Sequence, residues 1–302
     1  MAAGFANVAI IGLGLIGGSI AAALQKQGVV VSAYDANADS LQQGITKGII
    51  NVAAPSISAL AVGADLIIVA VPVLAVADVM AELVPYFDNP KVVITDVGSV
   101  KCSIVEVVQQ IVSQQIVEPQ PSTFPVNFVP GHPIAGSEKH GVSASNPNLF
   151  DKHKVILTPL ESTNEVAVER LISFWQNLGA DVTRMDVHHH DEILAQTSHL
   201  PHLLAYALID TLSLQGDSLE IFDFAAGGLR DFSRIAASDP TMWRDIFKSN
   251  RKPLVEILER YMSDLSNLKS MIEEDNLEDL FELLERAKAA RDHFTKVLES
   301  RQ

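Results

Sequence analysis

The sequence predicts an α/β protein in which a doubly wound, Rossmann-type parallel sheet is followed by an all-helical C-terminal domain. Up to about residue 186, short apolar runs alternate with helical stretches, a pattern typical of a parallel sheet covered by helices. Beyond that point the strand-like runs stop and helical patterns continue to residue 302. A glycine-rich turn also joins the first apolar run to the first helical stretch, as it does in many nucleotide-binding folds.

The elements of the first part follow from these runs. The predicted strands are Asn7–Ile11, Val29–Tyr34, Asp65–Val71, Lys91–Asp96, Asn127–His132, Lys154–Thr158 and Asp181–Met185. The predicted helices are Leu15–Lys26, Val73–Leu83, Val100–Val112 and Asn164–Asn177. Four prolines between residues 114 and 130 exclude a regular helix there and predict a loop.

Long helices are predicted in the second part, over Asp191–Leu214, apart from Pro201, and over Pro240–Ile272. Apolar residues recur every three or four positions from Leu254 to Ile272, and again from Leu277 to Val297. Stripes of this length commonly pack against a second subunit, so we expect a homodimer formed through this domain.

Composition narrows the class of protein. The length of 302 residues favours two domains, which we place at residues 1–186 and 187–302. A net charge of −15 argues against a nucleic-acid partner, which needs a basic surface. Residues 59–77 are almost all apolar, but Asp65 and Pro72 interrupt them, which favours a buried strand over a membrane span. One cysteine, Cys102, and an N-terminus without a basic stretch predict a cytoplasmic protein without a signal peptide.

The glycine turn reads Gly12-Leu-Gly14-Leu-Ile-Gly17. Gly12 permits the tight turn, and Gly14 lets the backbone approach a diphosphate closely. Gly17 allows the helix to pack closely on the strand. Asp35 ends the next strand, at the distance from the glycine turn where a carboxylate binds the ribose hydroxyls of a dinucleotide. Because a carboxylate there would repel the 2′-phosphate of NADP, NAD is the predicted cofactor. The predicted cofactor-binding residues are Gly12, Gly14, Leu15, Ile16, Gly17, Asp35, Val71 and Pro72.

Four further clusters of polar residues are expected near the carboxyl ends of the strands or at the start of the helical part. They are Asp96–Lys101, Gly131–Glu138, Ser198–His202 and Arg230–Arg244. Ligands of doubly wound sheets bind beyond these strand ends.

At these residues the chain resembles the prephenate/arogenate dehydrogenase family of tyrosine biosynthesis. The resemblance extends from the glycine turn through DVGSVK, GHPIAGSE and SHLPH to SRIAASDPTMWRDI. It implies that prephenate and NAD give 4-hydroxyphenylpyruvate, carbon dioxide and NADH, or that arogenate gives tyrosine. By motif it implies that His132 is the catalytic histidine acting on the ring hydroxyl and that Ser99 assists it. Arg234 is implied to bind a substrate carboxylate, and the implied pocket residues are Ser198, His202 and Trp243.

The chemistry of such a reaction favours the same residue types. Removing hydride from an alcohol carbon requires a base of near-neutral pKa for the hydroxyl proton, and histidine meets this requirement. A guanidinium holds both oxygens of a carboxylate, although Arg230 competes with Arg234 for this role.

Other interpretations remain open on the sequence. A β-hydroxyacid dehydrogenase of the same architecture would leave the GHPIAG and SHLPH clusters unexplained, and an NAD-sensing regulator would not need a base. The run from His188 to Asp191 invites a metal site, but consecutive residues point in different directions. We therefore expect this run to be the polar-capped start of a helix, His199 to be structural, and no metal to be bound.

Overall fold

The computed structural model describes residues 4–87, 89–115, 125–136, 139–215 and 218–299. The chain forms two compact units that divide between Asn250 and Arg251. Residues 116–124 of the predicted proline-rich loop lie outside the described residues, as do Ser137 and Glu138.

A six-stranded parallel sheet lies at the centre of the first unit. Its strands are Asn7–Ile11 (β1), Val30–Tyr34 (β2), Val52–Ala53 (β3), Leu66–Val69 (β4), Val93–Asp96 (β5) and Phe128–Val129 (β6). The strand order is β3-β2-β1-β4-β5-β6, so the order reverses between β1 and β4. This topology confirms the predicted Rossmann-type sheet, in which ligands bind beside the reversal.

A second, smaller sheet was not predicted. It contains Gly131–Ile134 (β7), Lys154–Leu157 (β8) and Asp181–Arg184 (β9), with β7 antiparallel to β8 and β8 parallel to β9. The predicted strand Asn127–His132 is therefore wrong as one element, because it contributes to both sheets. Pro130 separates β6 from β7, and a proline has no N–H with which to continue a strand ladder.

Helices cover both faces of the parallel sheet. They are Leu15–Lys26 (α1), Ala38–Thr46 (α2), Ile57–Ala61 (α3), Val76–Leu83 (α4), Cys102–Gln115 (α5) and Glu165–Asn177 (α6). The predicted helices match α1, α4, α5 and α6 apart from their first or last residues, whereas α2, α3 and the short β3 were not predicted. Asn164 caps α6, since its side chain accepts a hydrogen bond from the Val166 N–H.

Successive residues of the central strands enter two separate apolar cores. Val8 and Ile10 of β1 belong to a core that also contains residues of α1 and α6. Ala9 and Ile11 belong to the core that contains residues of α3, α4 and α5. This alternation is what a strand buried on both faces requires.

The first unit ends in helices. They are Val187–Leu194 (α7), Leu200–Ser213 (α8), Ser218–Asp223 (α9), Gly227–Ser233 (α10) and Pro240–Ser249 (α11). A π-helical turn, Ala195–His199, joins α7 to α8, and Pro201 lies in the first turn of α8, where a proline is tolerated. A 3₁₀ helix, Arg234–Ala237, joins α10 to α11.

The second unit consists, in its described residues, of Arg251–Glu273 (α12) and Leu277–Glu299 (α13), which contact each other. Asn250 separates α11 from α12, so the predicted continuous helix Pro240–Ile272 is two helices. No helix in the described part of the chain is long and apolar enough to cross a membrane. Large apolar side chains remain exposed on both helices: Val255, Met262, Leu265, Ile272, Leu277, Phe281, Leu284, Phe294 and Leu298.

Candidate active site

The glycine turn lies between β1 and α1, beside the reversal of strand order. Gly12 has a φ of +97°, and a Cβ there would approach the Ala70 carbonyl oxygen to 2.4 Å. A Cβ on Gly17 would lie 2.0 Å from the Gly12 carbonyl oxygen. A Cβ on Gly14, in contrast, would meet nothing within 4 Å. The packing of the chain therefore requires Gly12 and Gly17, while the space at Gly14 is open to a ligand.

The amino end of α1 suits an anion. Gly14 caps the helix without a side-chain hydrogen bond, and the first turn, which contains Leu15 and Ile16, has no acidic residue. The N–H groups of a first helical turn have no partner within the helix, and they bind phosphate when a glycine turn allows it to approach. These features fit the diphosphate of NAD.

Asp35 follows β2 at the same edge of the sheet. Its carboxylate accepts hydrogen bonds from the Leu13 N–H at 2.6 Å and the Asn37 N–H at 2.7 Å. Asp35 is thereby fixed against the glycine turn. Val71 and Pro72 follow β4, and the Val71 side chain lies against Gly12. All of the predicted cofactor-binding residues thus lie around one strand edge.

The segment from Asp96 to Lys101 follows β5 and contains a fully buried ion pair between these two side chains. The Asp96 carboxylate also accepts a hydrogen bond from the Gly98 N–H at 2.8 Å, and the Lys101 ammonium donates to the Gly131 carbonyl at 2.7 Å. Burial lowers the pKa of Lys101, while the charge of Asp96 opposes this shift. Ser99, which is half-buried, lies inside this tightly held loop.

His132 lies on β7, directly after Gly131, and is buried. Its Nδ1 is 2.9 Å from Nε2 of His190. In the described part of the chain the partner of the His132 ring is therefore His190, not Ser99. Burial lowers the pKa of His132 well below its usual value, and His190, Lys101 and His199 add to this effect. The ring is neutral at pH 7.

His190 and Asp191 lie on the buried face of α7. Nδ1 of His190 is 2.7 Å from a carboxylate oxygen of Asp191, and this carboxylate also accepts hydrogen bonds from the Lys101 and Cys102 N–H groups, each at 2.8 Å. Sequence reasoning missed both residues. Their signal is helical spacing, because the buried residues Val187, His190, Asp191 and Leu194 follow one another by three, one and three positions.

The predicted start of a helix at the histidine run is confirmed. The Asp186 side chain accepts hydrogen bonds from the His188 and His189 N–H groups at the amino end of α7. Within the described ranges, no group of three or more His, Cys, Asp or Glu side chains could hold a metal ion.

The remaining candidate residues lie on the π-helical turn and on α8, α11 and the 3₁₀ helix that precedes α11. His202 stacks on Trp243 with 3.7 Å between ring centroids, and its Nδ1 lies 2.8 Å from the Ser198 carbonyl oxygen. Burial lowers the pKa of His202, and the positive charge of Arg234 contributes to the shift. The Tyr206 hydroxyl donates to the Ser238 carbonyl at 2.6 Å, which ties α8 to the segment that carries Arg234.

Trp243 connects this group to the sheet edge, since it packs with Val100, which adjoins Ser99, in one buried apolar cluster. His199 is also buried, and its Nδ1 lies 3.0 Å from the nitrogen of the Asn250 side-chain amide. Burial lowers the pKa of His199 to about 4.

Comparison with known proteins identifies the family. The model described as "Prephenate dehydrogenase, nucleotide-binding domain" matches residues 20–184, and "Prephenate dehydrogenase, dimerization domain" matches residues 186–286. The chain is 35% identical to the cyclohexadienyl dehydrogenase of Zymomonas mobilis, with 95% of each chain covered. It is 33% identical to the prephenate dehydrogenase of Bacillus subtilis, with 95% of this chain and 75% of that protein covered.

Two solved structures agree. The prephenate dehydrogenase of Aquifex aeolicus, in complex with hydroxyphenyl propionate and NAD⁺, superposes with a TM-score of 0.85 at 34% identity, covering 95% of this chain and 98% of that one. The arogenate dehydrogenase of Synechocystis gives a TM-score of 0.78 at 27% identity, covering 95% of this chain and 99% of that one. The chain therefore belongs to the prephenate dehydrogenase family, the NAD-dependent oxidoreductases that carry out oxidative decarboxylation in tyrosine biosynthesis.

Proposed function

We propose that the protein oxidises prephenate or arogenate at the strand edge around His132, with His132 as the general base. The observation that carries this assignment is the meeting of three distant segments at one histidine. The Asp96–Lys101 ion pair holds Gly131, the residue before His132, and α7 supplies His190 as the partner of the His132 ring.

The ionisation state of His132 suits a base. Because burial keeps the ring neutral at pH 7, one ring nitrogen has a lone pair for the hydroxyl proton of the substrate. Nδ1 faces His190, so Nε2 is the nitrogen that accepts this proton. NAD, held by the glycine turn and Asp35, would supply the acceptor for the hydride of the ring carbon that carries this hydroxyl. Loss of carbon dioxide then makes the ring aromatic, which renders the reaction irreversible.

Arg234 is proposed to bind the side-chain carboxylate of the substrate. It lies at the start of the 3₁₀ helix, close enough to His202 for its charge to lower the pKa of that ring. A guanidinium in this position binds both carboxylate oxygens at once. Ser99, Ser198, His202 and Trp243 are proposed to form the rest of the pocket. Asp35 is proposed to bind the ribose of NAD.

The helical region is proposed to form a homodimer. The matching family model describes a dimerization domain, and α12 and α13 expose the apolar side chains that such an interface would cover. We also propose that residues 1–186 form the dinucleotide-binding domain and residues 187–302 the helical domain for substrate binding and dimerisation. A cytoplasmic location and the absence of a nucleic-acid partner are proposed as well.

The test is the formation of NADH, followed by absorbance, with prephenate and then arogenate, each offered with NAD and with NADP. We expect turnover with NAD and at least one of the two substrates, and none with a simple β-hydroxyacid. Turnover of the β-hydroxyacid alone would overturn the proposal.

A further inference from the structure

Three buried side chains form a hydrogen-bonded series that ends at His132. We refer to His132, His190 and Asp191 as the buried triad. Their side chains are joined at 2.9 Å and 2.7 Å, and the residues are 8%, 0% and 1% exposed. Neither His190 nor Asp191 belongs to the candidate set derived from the sequence motifs.

The ionisation state of Asp191, the member of the triad farthest from His132, determines where the protons of the two histidine rings lie. Burial by itself would raise the pKa of Asp191, but the hydrogen bonds from His190 and from the N–H groups of Lys101 and Cys102 outweigh burial and lower it. Asp191 is therefore a carboxylate and can only accept hydrogen bonds. Nδ1 of His190 must then donate to it.

The tautomer of His190 determines the tautomer of His132. Burial lowers the pKa of His190 despite the opposing effect of Asp191, so this ring is neutral and has one N–H. With that proton on Nδ1, Nε2 of His190 is an acceptor, and Nδ1 of His132 must donate to it. Nε2 of His132 is left with its lone pair.

We propose that His190 and Asp191 are positioning residues that hold His132 in the tautomer whose Nε2 receives the substrate proton. This inference rests on the proposed role of His132. As hydride leaves the ring carbon for NAD, the hydroxyl proton passes to Nε2 of His132, and the O–H electron pair completes the new carbonyl. The positive charge formed on His132 is shared with His190 through the bond between their rings and is balanced by the carboxylate of Asp191.

The surroundings of His132 disfavour an imidazolium, so a balancing carboxylate is needed. Burial is the largest cost, and the positive charge of Lys101 adds to it. Among the carboxylates that the structure describes near His132, Asp96 is already paired with Lys101. Asp191 is thus the anion that offsets the imidazolium, and it acts across His190 rather than by direct contact.

The tautomer can be measured without activity. In protein carrying ¹⁵N-labelled histidine, we expect the NMR shifts of His132 to show a proton on Nδ1 in the wild type. A His132 ring protonated on Nε2 in the wild type would overturn the proposal, whatever the enzyme turns over. A correct tautomer in a protein that oxidises neither prephenate nor arogenate would instead refute the proposed function and leave the triad intact.

Two variants of His190 separate positioning from packing. Glutamine supplies one amide donor and one acceptor, so His190→Gln keeps the orientation of His132, whereas His190→Leu removes it. We expect His190→Leu to lose at least about 10-fold in kcat, part of the ~10²–10⁴-fold contribution of a general base. Its KM should change by less than about threefold, since no substrate contact is lost. His190→Gln should recover part of the lost kcat.

The matched control is His189→Leu, one residue earlier on α7, where the side chain is 58% exposed. It should leave kcat and the His132 tautomer unchanged. If His190→Leu and His190→Gln lose kcat equally while the His132 tautomer is unchanged in both, His190 serves only packing and the proposal is wrong. Should His190→Leu fail to fold, the wild-type tautomer and His190→Gln still decide the matter.

Discussion

Asp35 makes the choice of cofactor testable at a single carboxylate. Both of its oxygens are held by backbone N–H groups, one of them in the glycine turn, so its negative charge is fixed where the ribose of NAD is proposed to bind. Asp35→Asn should weaken the binding of NAD and relieve the repulsion of the 2′-phosphate of NADP. The preference for NAD over NADP should fall by about 1–3 kcal/mol, the range for a lost charged hydrogen bond.

The measurement is the ratio of kcat/KM for the two cofactors. Asp39→Asn provides the control, because Asp39 is an exposed acidic residue in the first turn of α2. Wild-type enzyme that used NADP as well as NAD would show that Asp35 does not have this role.

His132 and Arg234 should differ in the kinetic constant they control. His132→Asn should lower kcat by about 10²–10⁴-fold, because the base acts mainly as the proton leaves. Arg234→Ala should chiefly raise KM, because the carboxylate is bound in both substrate and transition state. Since burial lowers the pKa of His132, the acid limb of wild-type kcat/KM should lie at a lower pH than an ordinary histidine gives.

Steady-state kinetics of both variants over a range of pH would check these roles. Arg230→Ala is the control, because Arg230 has an exposed ion pair with Asp231 and lies four residues before Arg234. A His132→Asn enzyme with near-normal kcat, alongside an Arg234→Ala enzyme that fails at saturating substrate, would show that the two roles are reversed.

Residues within contiguous motifs could be predicted from the sequence, but contacts between distant segments could not. The resemblance carried by GHPIAG and DVGSVK implied the roles of His132 and Ser99, because each motif is a short contiguous stretch of the sequence. Lys101 was seen only as part of its motif, although it joins Asp96 to Gly131 in the buried interior. His190 depends on a contact over 58 positions of the chain, which local patterns do not encode.

At the scale of elements, periodicity predicted the long helices and the buried strands but not the second sheet. β7 follows β6 after a single residue, so the apolar run over both looks continuous in the sequence. Pro130 was the available signal, because a proline interrupts a strand ladder. β3 has only two residues and α3 five, and both are too short to show a period.

The connection from β5 to α5 should depend strongly on its buried ion pair. Lys101→Met would leave the Asp96 carboxylate buried without its partner, which destabilises proteins by about 3–5 kcal/mol. Chemical denaturation would measure this change in the free energy of unfolding. Lys154→Met is the matched control, because its ion pair with Asp181 is partly exposed and pairs of that kind contribute about 0–1 kcal/mol. Equal losses in the two variants would contradict the importance assigned to burial.

At the scale of the whole molecule, α13 should determine the oligomeric state. Leu277, Phe281 and Leu284 follow one another by four and three positions, so they share one face of the helix, and all three are more than half exposed. A stripe of this kind favours a partner surface over water. We expect the wild type to be a dimer at micromolar concentration and Phe281→Glu to shift it towards the monomer, because a charge placed in an apolar interface must be desolvated.

Light scattering coupled to size-exclusion chromatography would report the mass of each variant. Arg286→Glu is the control: it adds more negative charge than Phe281→Glu, but it lies on α13 away from the face of Phe281, so the dimer should persist. If the wild type were a monomer at this concentration, the exposed stripe would not be a subunit interface. If both variants dissociated equally, net charge rather than the apolar face would control assembly. Dissociation of Phe281→Glu alone would assign the interface to this face of α13.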